Sequence, residues 1–207
     1  MDAVIFDMDG VLIDSEPIYM HHVLEFYRRF DIHVPYKEVV KLAGSSHEAG
    51  LEMMSAWWKE DITPSEFEKF YEANSDEEIV YSEILNPYVL YVLKRLKARG
   101  MKQAIVTMVN ECGLKGYFNE IISGHDFPYS KPDPSIYLYT LQKLNVAKER
   151  CIVIEDSTYG ILAAKAAGIR VIAKHDVRFG FDQSLADYLV YDLLEAYHLI
   201  MQEGEAA

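Results

Sequence analysis

Cysteine is scarce. The 207 residues hold 2, Cys112 and Cys151, in neither CxxC nor zinc-ligand spacing. That argues against a disulfide scaffold and suits a reducing compartment, so a cytoplasmic location is expected. Basic residues are also short, 20 Lys and Arg against 33 Asp and Glu, for a net charge of -13. A phosphate backbone or an anionic bilayer needs a basic face, so neither nucleic acid nor membrane is an expected partner. A small anionic substrate stays compatible if a cation or a local basic group offsets the field. No apolar run approaches the roughly 20 residues of a membrane span, and Asp2 stands where a secretory signal would carry basic residues. Internal repeats and low-complexity linkers are missing too, and the seven histidines fall in no metal spacing. What is abundant is apolar. Hydrophobic residues make up 50% and charged residues 26%, enough to build the core of one domain, or of one domain carrying a small insertion.

Four short runs, Ala3 to Phe6, Gln103 to Val106, Cys151 to Ile154 and Arg170 to Ala173, are β-branched and continuous rather than alternating. Strands covered on both faces read this way, as in a parallel sheet. Glu120 to Ser123 and Tyr188 to Val190 are weaker strand candidates. Helical patterns separate the runs. Val89, Val92, Leu93 and Leu96 share one face, and Gly100 supplies the stop. Asp133 and Pro134 read as N-cap and first helical residue before Tyr137, Leu141 and Leu144. Ser157 or Thr158 can cap a helix ending at Gly168, and Leu194, Tyr197 and Met201 mark a last one. Strands alternating with helices predict a doubly wound parallel α/β sheet.

Residues 15–85 differ. No strand stands out, and three apolar stripes do: Val23, Phe26, Tyr27 and Phe30; Leu51, Met54 and Trp58; Phe67, Phe70 and Tyr71. Thr63 to Glu66 is a capping box with proline at the first helical position, and Ser45 with Glu48 reads as a second. The expected division is a sheet domain of residues 1–14 and 86–207 with an all-helical insert between them.

Chemistry concentrates where strands end. Asp7-Met8-Asp9-Gly10-Val11 follows the first strand directly. Carboxylates two positions apart project to one side of an extended chain, and Gly10 permits a sharp turn just beyond. Taken alone this is also an ordinary polar turn. Thr107 ends the second run. Lys131 precedes Pro132-Asp133-Pro134 at the mouth of a helix. Glu155-Asp156-Ser157 ends the third run, with Gly160 close behind. Singly, these read as a strand terminus, a solvated loop lysine and an acidic helix cap. Together they bring a nucleophile, an acid/base, a hydroxyl, a cation and a metal carboxylate to one edge of a sheet, where α/β proteins bind ligands.

In that order the four segments resemble the motifs of the haloacid dehalogenase-like superfamily. Within it, the chain is most similar to the β-phosphoglucomutase-like sugar-phosphate phosphatases. The helical insert resembles the family's cap. The resemblance implies that Asp7 is the nucleophile and Asp9 the general acid/base. It implies Mg²⁺ held by the Asp7 carboxylate, the Asp9 carbonyl and Asp156, with Glu155 assisting. Thr107, Lys131 and backbone donors around Gly10 and Met108 would receive the phosphate. Asp9 argues for phosphoryl transfer, since a dehalogenase has no alkoxide to protonate.

The insert's Gly44-Ser45-Ser46-His47 resembles the cap loop facing the substrate. His47 stands where the mutases carry an arginine, and Asp14-Ser15-Glu16-Pro17 resembles the phosphatase branch. The expected activity is therefore Mg²⁺-dependent hydrolysis of a small phosphorylated metabolite, with a sugar phosphate as the expected substrate class, by a monomer or homodimer. The alternatives are a phosphosugar mutase and a non-catalytic phosphometabolite-binding protein. One departure stands out. Relatives place a full helix between Thr107 and the Gly113-Leu114 to Tyr117-Phe118 segment, and this chain is shorter there by roughly two helical turns.

Overall fold

A computed structural model describes residues 1–75, 80–107 and 113–205. The chain divides into two compact units, Met1–Asp14 with Val80–Ala207, and Ser15–Ile79.

The first unit is built on six parallel strands: β1 (Ala3–Asp7), β2 (Lys102–Thr107), β3 (Glu120–Ser123), β4 (Cys151–Glu155), β5 (Arg170–Lys174) and β6 (Tyr188–Val190). Their spatial order is β3-β2-β1-β4-β5-β6, the doubly wound arrangement expected. All six strand candidates are present; β1, β4 and β5 each gain one charged residue at the carboxyl end, and β2 gains Lys102 and Thr107 at its two ends. Side chains alternate between two cores. Val4 and Phe6 of β1 pack with Val92, Leu93 and Leu96 of α5 (Val89–Ala98) and with Ala196 and Ile200 of α8 (Leu193–Glu205). Ala3 and Ile5 pack with Tyr137 and Leu141 of α6 (Ser135–Leu144) and with Ala163 and Ala164 of α7 (Thr158–Ala166). Both faces of β1 are thus sealed from water, which is why its sequence is continuous rather than alternating. Each buried Val, Leu, Ile or Phe among them contributes about 1.5–3 kcal/mol by burial.

The second unit holds α1 (Glu16–Arg29), α2 (Tyr36–Val39), α3 (His47–Ala56) and α4 (Pro64–Asn74). Its core is aromatic. The Phe26 ring centre lies 4.6 Å from Tyr71 and 6.0 Å from both Trp58 and Phe67. Trp57 and Trp58 serve this packing, since Trp57 meets Tyr27 edge-on at 5.9 Å. The Thr63 capping box forms as expected, with both reciprocal hydrogen bonds.

Three local expectations need correction. The N-cap of α3 is Ser46, whose hydroxyl accepts from Ala49 N–H, while Ser45 donates to the Leu42 carbonyl. Helix α6 starts at Ser135 with Pro134 as its N-cap. Asp133 acts one position further out than expected, accepting from Ser135 N–H at 2.9 Å. Residues 80–85, read by pattern with the insert, lie in the sheet unit: Asp14 N–H bonds the Ile84 carbonyl at 2.9 Å, and Ile13 bridges Leu85. Among the described residues, the β2–β3 connection holds only a single 3-10 turn, Lys115–Tyr117.

Candidate active site

The chain leaves β1 toward β2 and β3 on one side, then returns to build β4, β5 and β6 on the other. The carboxyl ends of β1 and β4 therefore flank the switch point, where sheets of this kind leave a crevice for ligand. Asp7 ends β1 and Glu155 ends β4. Because Phe6 pairs with Ile154, the two carboxylates come side by side. Asp156 follows at once, and Asp7, Glu155 and Asp156 each present an oxygen within 4.8 Å of the others.

Lys131 reaches this cluster from the loop before α6. Its Nζ donates to Asp7 Oδ1 and to Glu155 Oε1 at 2.6 Å. Glu155 is sealed from solvent and heavily bonded. Tyr137 OH donates to Oε1 at 2.8 Å. The other oxygen accepts from Asp156 N–H at 3.0 Å, Ser157 N–H at 3.2 Å and Ser157 Oγ at 3.1 Å. Ser157 then caps α7 by accepting from Gly160 N–H.

Two glycines make this crowding feasible. A Cβ on Gly160 would lie 1.8 Å from Glu155 Oε1. A Cβ on Gly10 would lie 1.9 Å from Asp156 Oδ2, and Gly10 also adopts a left-handed φ of +71°. The turn after β1 is held by Asn86, whose side-chain amide donates to the Gly10 and Val11 carbonyls at 3.1 and 3.0 Å.

The electrostatics follow from crowding. Burial pushes the Asp7 carboxyl up to about 8 from an ordinary 3.8, with Glu155 and Asp9 adding repulsion and Lys131 opposing them. Burial disfavours the Lys131 ammonium, yet the Asp7 and Glu155 carboxylates outweigh it and hold the group protonated. Burial, then Glu155, keeps Tyr137 a neutral hydroxyl. One ammonium beside three carboxylates leaves excess negative charge. Hard oxygen donors with that excess are what a divalent cation such as Mg²⁺ takes. The residues present fit such an ion.

The remaining expected residues fall out as follows. Asp9 lies in the turn beyond Asp7, its backbone bridging Ile13. Thr107 ends β2, its backbone paired with Ser123 one position past Val106, the partner of Asp7. Met108 lies outside the described residues. Gly44 and His47 belong to the helical unit. Gly44 has φ +64° and donates its N–H to Glu16 Oε1 at 3.3 Å, while His47 Nε2 lies 2.6 Å from Glu68 Oε1. Sequence reasoning missed Asn86 and the polar role of Tyr137. Asn86 was visible only as the expected domain junction before proline, and Tyr137 sat on the apolar face of its helix.

The structure thus gathers an acidic cluster and a lysine at the switch point of a doubly wound sheet. The model of the haloacid dehalogenase-like hydrolase family matches residues 4–174, and the chain belongs to that family; it is an enzyme of the hydrolase class. A phosphorylated carbohydrates phosphatase of Thermotoga maritima is 36% identical over 187 aligned residues, covering 83% of this chain and 84% of its own. The fructose-1-phosphate phosphatase YqaB of Escherichia coli is 28% identical, covering 85% of this chain and 96% of its own. A solved Thermotoga maritima structure, described as a candidate β-phosphoglucomutase, aligns with a TM-score of 0.76 at 30% identity, over 98% of this chain and 99% of that one.

Proposed function

We propose that the protein is a Mg²⁺-dependent phosphatase of small phosphorylated carbohydrates, acting through a phosphorylated Asp7. The observation that carries this reading is the Asp7–Lys131 pair set against Glu155 and Asp156 at the β1 and β4 ends. The phosphatase names of the relatives at 36% and 28% identity support the substrate class.

Asp7 and Asp156 side chains and the Asp9 carbonyl would hold the metal, with Glu155 assisting. Bound there, it would supply charge neutralisation that lets a carboxylate meet a phosphate ester. An Asp7 oxygen attacks phosphorus and the ester P–O bond breaks. Asp9 gives its proton to the departing alcohol. Water then attacks the aspartyl phosphate, returns a proton to Asp9 and frees phosphate and Asp7. Lys131 keeps Asp7 oriented, favours its ionised form against burial and offsets negative charge on the phosphoryl oxygens. Thr107 and the N–H groups around Gly10 and Met108 would donate to those oxygens. Substrate selection is assigned to the helical unit through Gly44 and His47.

The test is phosphate release from a panel of hexose and hexitol monophosphates with Mg²⁺, monitoring isomerised product in the same reactions with a trace of glucose bisphosphate. Free phosphate from the wild type, absent with Asp7→Asn, is expected. Isomer without phosphate would establish the mutase instead.

A further inference from the structure

Tyr137 carries a hydroxyl that packing does not require. Its ring is fully buried among Ile5, Val106 and Leu141, and phenylalanine would fill the same volume. The hydroxyl donates to Glu155 Oε1, the same oxygen that accepts from Lys131. The Lys131 ammonium also lies 5.5 Å from the Tyr137 ring centre. The other Glu155 oxygen is fastened by three donors from the β4–α7 turn. Tyr137 thus restrains the one oxygen of Glu155 that bears on Lys131.

We propose that Tyr137 is a positioning residue: its hydroxyl fixes the Glu155 carboxylate, which in turn aims the Lys131 ammonium at Asp7. The geometry explains why the helix following Lys131 returns a polar group to β4. Lys131 is long and has three donors, so two fixed acceptors are needed to define its direction. Glu155 is one of them and Asp7 the other, and Glu155 is itself pinned on both oxygens. The catalytic consequence rests on the phosphatase reading above, while the structural consequence does not.

Tyr137→Phe removes the hydroxyl and keeps the ring. With p-nitrophenyl phosphate and Mg²⁺, kcat is expected to fall roughly 5- to 30-fold, the scale of one hydrogen bond to a charged group, with KM changed less than about threefold. In a Glu155→Gln background the same substitution should change kcat less than about twofold, because its route is already broken. Unchanged kcat in a folded Tyr137→Phe protein, or effects that simply multiply, would overturn the proposal. A crystal structure of Tyr137→Phe tests it without turnover. Glu155 Oε1 should shift and Lys131 should lose one of its two carboxylate contacts. Retention of both contacts overturns the proposal, whereas a wild type that turns over nothing overturns only the phosphatase reading.

Discussion

On the proposed mechanism Asp7 acts as a carboxylate, yet its surroundings disfavour the ionised form. Burial and two neighbouring carboxylates raise its pKa to about 8 against a single ammonium. The sign of the resulting pH dependence is definite. An acid whose folded pKa is raised contributes stability that is present below its unfolded value of 3.8 and lost as pH rises through the folded value. Without divalent metal, the stability difference favouring Asp7→Asn should therefore grow from about pH 4 to about pH 8 and then level off. Thermal melts of both proteins in chelator would check this, and a flat difference would contradict it. Asp7, Asp156 and Lys131 could be singled out in the sequence because each sits at a strand end or loop mouth with Gly10, Gly160 or Pro132 following within a few residues. Tyr137 was not, because its place on the apolar stripe of α6 hides a hydroxyl whose partner is 18 residues away. Gly160 was visible, but its necessity depends on how close the Glu155 carboxylate comes, which spacing does not reveal.

At the scale of elements, the strands were the most legible. Burial on both faces demands unbroken β-branched runs, and β1, β2, β4 and β5 all carry them. Helix starts were legible where one capping group had no rival. Thr63 is such a case, with Pro64 and Glu66 in fixed places. Ser45 and Ser46 compete as neighbours, and the structure selects Ser46 for the cap. Asp133 was displaced one residue from its expected role because Pro134 occupies the N-cap and leaves Ser135 N–H to be satisfied. The capping box carries its own prediction. Thr63→Ala should destabilise the protein by about 0.5–2 kcal/mol. Urea denaturation followed by helical circular dichroism measures this, and no shift in midpoint would contradict a stabilising box.

For the molecule as a whole, the net charge is -13, and on the proposed reading the three converging carboxylates would receive a divalent cation. At a hundredfold excess over its dissociation constant, Mg²⁺ should raise the melting temperature by roughly 5–10 °C. NaCl of equal ionic strength should do much less, and Asp156→Asn should abolish the difference. An equal rise with NaCl would mean general screening rather than a site. The division into two units was foreshadowed by the change from strand-bearing to purely helical sequence. Its second junction was harder to read, because residues 80–85 join the sheet unit through backbone bonds to Ile13 and Asp14 rather than through a side-chain pattern. The most direct test of a phosphorylated Asp7 is to quench the enzyme in acid during turnover of a ³²P-labelled hexose monophosphate and map the labelled peptide. Label on the peptide containing Asp7, absent from Asp7→Asn and released by hydroxylamine, is the predicted result. Turnover with label on another residue, or undiminished turnover by Asp7→Asn, would contradict it.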